Sequence, residues 1–150
     1  MAETITLLPE PLFAAMQKES FALLSTIDYE SGGPSMNAIS WLFAKDPGTV
    51  RFAVDQRSRI VSNIKQNPQV NLTFIGAGSV HAIYGKCSIV TEALEGVPFK
   101  LVCFDIDISV VRDAMFYGAR ISTAPEYEKT YDKRAAEKLD NQVFDAMKKA

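Results

Sequence analysis

The spacing of apolar residues changes several times along the chain. Over residues 9–20, Leu12, Phe13 and Met16 recur at near-helical spacing behind Pro9 and Pro11, which suit a first helical turn, so a short amphipathic helix is expected. Residues 21–28 are apolar and β-leaning and run into Tyr29-Glu30-Ser31-Gly32-Gly33-Pro34, a cluster of turn formers. A strand and a hairpin loop follow from that order. Residues 35–44 alternate Asn37, Ile39, Trp41 and Phe43 with Met36, Ala38, Ser40 and Leu42, which predicts one continuous second strand with a bulkier face and a face of smaller residues. Lys45-Asp46-Pro47-Gly48 turns the chain, and residues 49–54 read as a third strand with Val50, Phe52 and Val54 on one side. Three successive antiparallel strands are expected here.

Beyond this point the period lengthens. Ile60, Val61 and Ile64 fit a helix over residues 58–67, which Pro68 ends. Residues 69–75 return to strand, Gly76-Ala77-Gly78 turns, and residues 79–90 form a long strand whose central Gly85 implies a bend or bulge. A sixth strand over residues 99–108 puts Val102, Phe104, Ile106 and Ile108 on one face, and Cys103, Asp105 and Asp107 on a face expected to meet water. Residues 110–117 fit either more strand or a helical turn. Residues 132–149 carry Ala136, Leu139, Val143, Phe144 and Met147 at helical spacing, with lysines in the last turn where the helix dipole favours them. Consecutive strands with short turns and one inserted helix point to a mostly β protein with flanking helices, a small antiparallel barrel rather than an alternating βαβ sheet.

Composition narrows the function. With 150 residues, 47% hydrophobic and 23% charged, a single domain over residues 1–150 is expected, burying roughly 70% of the unfolded chain's surface on folding. A net charge of −2 supplies no field to concentrate nucleic acid or anionic lipid. Polar residues such as Asn37 and Ser40 interrupt the apolar stretches well short of the ~18 residues of a membrane span, so neither nucleic acid nor membrane is an expected partner. Cys87 and Cys103 lack CxxC spacing, and the opening Met-Ala-Glu-Thr lacks a secretory pattern; a reducing cytoplasm is the expected setting.

The chemistry available is limited. One histidine and two cysteines fall short of a tetrahedral metal set, so no metal is expected. His81, in a predicted strand with no GxSxG elbow elsewhere, reads as a structural histidine, the functional alternative being an axial haem ligand. Asp105 and Asp107 share a strand face and are expected to be solvated. No residue declares itself catalytic. The better signal is Asp55-Gln56-Arg57-Ser58-Arg59, where a strand hands over to a helix: free N–H groups, a hydroxyl and two guanidinium groups are the ingredients of an anion site. The plainer reading is helix capping by Ser58 or Asp55, with the arginines in solvent.

Strand, hairpin, strand, hairpin and strand, followed by Arg57-Ser58-Arg59-Ile60-Val61 and then Asn67-Pro68-Gln69-Val70, resembles the pyridoxamine 5′-phosphate oxidase-related family of FMN-binding split barrels. The likeness runs from about Phe21 to Val90, including Ile83-Tyr84-Gly85-Lys86-Cys87, and fades in the last third. The resemblance implies a six-stranded Greek-key split barrel and a homodimer with one FMN in each of two interface clefts. It implies that Ser58 and Arg59 meet the flavin phosphate, that Asn37, Ala38, Ile39 and Ser40 run beside the ring and ribityl chain, and that Ala53 and Val54 lie nearby.

This chain departs from the oxidase pattern in having Asn37 and Leu42 where the oxidase carries Arg and Lys, and Ile60 where it carries Lys. Three phosphate-holding cations are thereby absent, Arg57 compensating in part, and no C-terminal Arg-x-His element matches the oxidase's substrate end. The expectation is a flavin-dependent oxidoreductase acting on a small molecule other than a B6 vitamer. A non-enzymatic, stress-associated binder of flavin or haem is the alternative, and a deazaflavin is the other cofactor such barrels hold.

Overall fold

The computed structural model describes residues 4–150. In chain order the elements are α1 (Glu10–Ala15), β1 (Ala22–Ile27), β2 (Pro34–Ile39), β3 (Leu42–Asp46), β4 (Thr49–Asp55), α2 (Arg59–Gln66), β5 (Gln69–Gly76), β6 (Ser79–Thr91), β7 (Leu101–Asp113) and α3 (Lys133–Lys149). The strands form one seven-stranded sheet in the order β2-β1-β5-β6-β7-β4-β3, with every neighbouring pair antiparallel. β5, β6 and β7 follow one another, and β4, joined to β5 through α2, lies beside β7, which is a Greek-key arrangement.

The expected six strands are seven because the stretch over residues 35–44 is broken. β2 pairs with β1 from Ile27↔Pro34 to Ala22↔Ile39, whereas β3 pairs with β4 from Leu42↔Phe52 onward. Residues 40 and 41 therefore carry the chain from one edge of the sheet to the other. So short a link reaches only about 10 Å, and the sheet must curl until its edges approach at that corner. No ladder between β2 and β3 closes the barrel. It is a split barrel with an open side, and the expected run of three strands divides into two antiparallel pairs, β1 with β2 and β3 with β4, at opposite edges of the sheet.

The main core lies inside the curl: Leu24, Phe52, Leu72, Ile83, Phe104 and Ile106 from the strands, Leu12 and Met16 at α1, and Ile60, Val61 and Ile64 from α2. Phe52 and Phe104 stack with ring centroids 5.2 Å apart. α1 ends earlier than residue 20. Residues 17–20 offer no apolar side chain to this core, the N–H groups of Gln17 and Lys18 tighten onto Ala14 and Ala15, and the Gln17 amide donates to the Ala44 carbonyl.

A second core, outside the sheet, corrects the reading of β7. Cys103 is fully buried with Leu101, Phe43 and Ala53 beneath Val143, Ala146 and Met147 of α3, so this end of the face meets a helix rather than water, while Asp107 further along it is exposed as expected. Burying a side chain such as Met147 contributes about 1.5–3 kcal/mol. Asp105 is not solvated as expected. It holds Arg51, only 4% exposed, through Nε–H···Oδ1 at 2.7 Å and Nη2–H···Oδ2 at 3.0 Å. The other end of that guanidinium donates to the Met147 and Ala150 carbonyls, fixing the end of α3 to the sheet. Residues 110–113 continue β7, so the open alternative is strand over its first half, residues 114–117 leave the sheet without forming a helix, and residues 99–100 precede β7.

The glycine inside β6 stands at a bulge. Tyr84 faces Val110 and Gly85 faces Ile108, leaving Ser109 as the extra residue of β7. A methyl group on Gly85 would lie 2.3 Å from the Asp107 carbonyl oxygen, so the close approach of the backbones excludes a side chain.

Candidate functional site at the split

The open side of the barrel is bounded by backbone edges. Among the described residues, β2 has β1 on one side and no strand on the other. β3 accompanies β4 only as far as Phe52, with one further bond from the Ala53 N–H to the Trp41 carbonyl; past it, Val54 and Asp55 keep β7 on one side only. The Ser40–Trp41 corner closes one end of this gap, where the Trp41 indole N–H donates to Asp140 of α3 at 2.8 Å. At the other end the β1–β2 hairpin loop meets the start of α2.

The residues expected around a cofactor lie on β2 and its corner, near the end of β4 and at the entry to α2. Asn37 and Ala38 are exposed on β2, and Ile39 and Ser40 are half-buried toward the corner. The side chains of Ala53 and Val54 point into the outer and inner cores respectively, so they offer the gap only backbone. Arg57, Ser58 and Arg59 stand at the entry to α2.

Local chemistry builds that entry. Asp55 ends β4 and accepts from the Arg57 N–H through Oδ1 and from the Ser58 N–H through its carbonyl. Ser58 is the N-cap, its Oγ accepting from the Ile60 N–H at 3.2 Å, so the capping reading of Ser58 holds. Fully buried Asn63 fixes the helix in place. It donates to Thr26 Oγ1 of β1 and accepts from the Tyr29 N–H of the hairpin, each at 2.9 Å.

Both arginines are exposed, as the plainer reading has them, and each is also paired with a carboxylate. Arg57, 90% exposed, pairs with Asp55 at 3.2 Å. Arg59 makes a two-point contact with Asp28 at 2.6 and 3.1 Å, reaches Glu30 at 2.8 Å, and lies 4.6 Å from the centre of the Tyr29 ring. The Arg59 guanidinium, followed by the Ser31 N–H, holds the Asp28 carboxyl well below the usual carboxylate range. Asp28 and Glu30, which the sequence marks only as parts of a turn, are thus the site residues it conceals. They lie about thirty positions from Arg59, and no local pattern links them.

Two guanidinium groups and three carboxylates leave one formal negative charge in excess at this end of the gap. The donors fit a phosphate: a hydroxyl, the first turn of a helix and two guanidinium groups. The guanidinium groups, however, already carry acceptors from the chain.

The remaining reactive side chains lie outside this arrangement. His81 Nε2 is 3.0 Å from the Gly76 carbonyl oxygen; a carbonyl only accepts, so that nitrogen carries the proton and is engaged. Burial pushes the Cys87 thiol up to about 12 and the Cys103 thiol up to about 11, and neither is a thiolate nucleophile at neutral pH. An open groove of about 910 Å³ runs between α3 and residues 124–129, where Lys129 is held by Glu19 and Asp140. Among the described residues no His, Cys, Asp and Glu cluster could hold a metal ion, and no helix is long and apolar enough to cross a membrane.

Residues 8–101, more than half of the chain and including every residue of the gap, match the family model for pyridoxamine 5′-phosphate oxidase; the chain belongs to this family. No curated protein matches it. Three similar solved structures support the fold. HupZ from Group A Streptococcus is 14% identical, with 77% of this chain and 99% of that one covered at a TM-score of 0.60. An F420 reductase is 20% identical, covering 69% and 98% at 0.58. A pyridoxamine 5′-phosphate oxidase-related, FMN-binding protein from Nostoc punctiforme is 13% identical, covering 61% and 72% at 0.50. At these identities the likeness is one of fold.

Proposed function

We propose that the protein is an FMN-dependent oxidoreductase acting on a small molecule, with the flavin lying along the gap between β2 and the end of β4. The observation that carries this reading is the placement of Ser58 and Arg59 at the α2 entry, at one end of a gap whose long sides are unpaired strand edges. Ser58, the first turn of α2 and Arg59 would hold the phosphate, Arg57 lending a further charge. The backbone from Asn37 to Ser40 and at Ala53 and Val54 would orient the planar ring. When bound, the flavin supplies hydride and single-electron transfer, and the chain supplies shape, hydrogen bonds and exclusion of water.

The proposal includes a homodimer. A strand edge as open as β2 invites a covering partner, and Met36 on it is 58% exposed. The outer face of β1 and β5, with half-buried Leu23, Ile27, Thr73 and Ile75, lies next to that edge. A second copy seated there would wall the gap. The free thiols suit the cytoplasm.

Titration of the purified protein with FMN, followed by quenching of flavin fluorescence, tests the assignment. Arg59→Ala is expected to weaken FMN binding at least about tenfold, the scale of a lost charge-assisted contact; unchanged affinity removes Arg59 from the site. Bleaching of the bound flavin by NADH or NADPH without oxygen identifies an oxidoreductase, whereas a flavin that stays oxidised makes the protein a carrier. Uptake of a deazaflavin or haem in place of FMN would reassign the cofactor.

A further inference from the structure

Each contact that occupies Arg59 is itself held in place. Asp28 Oδ2 accepts from the backbone N–H groups of Glu30 at 3.2 Å and Ser31 at 2.9 Å, an Asx turn that fixes the carboxylate. Between Asp28 and Glu30, the Tyr29 N–H donates to Asn63 Oδ1, tying the hairpin to the same helix that carries Arg59. The carboxylates are therefore delivered to the guanidinium by a preformed loop, at the high effective concentration of an intramolecular ligand. A phosphate arriving from solution meets an arginine whose anion is already in place.

We infer that Asp28 and Glu30 are a built-in substitute for the phosphate and set the charge the site accepts: a dianionic tail enters only by displacing a carboxylate from Arg59. This rests on the flavin reading for the ligand's identity but not for the contact itself. The geometry makes the two acids specificity-determining residues. They penalise ligands in proportion to the negative charge of the tail and leave an uncharged tail unaffected.

The alternative is that the ion pairs merely staple the hairpin to α2. Inorganic phosphate, FMN and phosphate-free riboflavin separate the two ideas when titrated in parallel against the full chain and its Asp28→Asn and Glu30→Gln variants. Phosphate is followed through the backbone amide NMR signals of Ser58, Arg59 and Ile60. Asp28→Asn keeps the carbonyl oxygen that the turn requires, and the Glu30 side chain is 64% exposed, so both variants retain the fold.

The expected result is tighter phosphate and FMN binding, by about threefold for Glu30→Gln and about tenfold for Asp28→Asn, with riboflavin unchanged within about twofold. Phosphate affinity that is unchanged or weaker in both variants overturns the inference, as does a gain shared equally by riboflavin. Failure of the flavin reading looks different: phosphate would respond to the substitutions while neither flavin bound any form of the protein.

Discussion

Arg51 is the only one of the arginines discussed above that sits inside the protein, and its neighbours account for all of its charge. Asp105 takes two of its N–H groups and the last turn of α3 takes others. Arg51→Ala would leave Asp105 without its main partner in a part-buried position, and we expect a loss of about 3–5 kcal/mol in urea unfolding. Arg51→Lys should recover little of it, because a single ammonium cannot span both the carboxylate and the helix end. Gly85→Ala tests the opposite fault, too much rather than too little. Its methyl would press on the Asp107 carbonyl at 2.3 Å, and about 1–3 kcal/mol should be lost in the same measurement. The two residues differ in legibility: a glycine amid β-formers announces a bulge by itself, whereas Arg51 and Asp105 meet only because β4 and β7 pair in one particular register.

Elements with their own period were readable. α2, β5, β6 and α3 begin and end within a few residues of where the apolar spacing and Pro68 put them. The break between β2 and β3 was hidden because the alternation runs unchanged through Ser40 and Trp41. What breaks there is pairing, and pairing is a tertiary property. The outer core was hidden for a similar reason. Alternation on β7 gave one apolar face and one mixed face, and only the placement of α3 shows that the mixed face is also covered. The Trp41 indole joins these two features, since it stands at the break and donates to Asp140 of α3. Trp41→Phe should cost about 1–2 kcal/mol and speed hydrogen exchange in the middle of α3. Lys129, 2.9 Å from Asp140 on its other side, would keep the aspartate paired and limit the damage.

At the scale of the whole molecule, the curled sheet leaves β2 and the end of β4 as open edges, with the entry to α2 beside the β1–β2 hairpin, and this outline was legible through the family resemblance. The charge state of the opening was not. Ser58 and Arg59 are visible as a local motif, whereas Asp28 and Glu30 become relevant only when the β1–β2 hairpin folds against α2. The opening is consequently fastened in two unlike ways. At the Ser40–Trp41 corner the seam is covalent and indifferent to the medium; at the hairpin it is an ionic clasp beside the neutral hydrogen bonds of Asn63, and dissolved salt weakens the ionic part. Raising the ionic strength should loosen β2 from one end only. Amide hydrogen exchange is expected to quicken from Ser35 and to fade toward Ile39, as a zip opens from its free end.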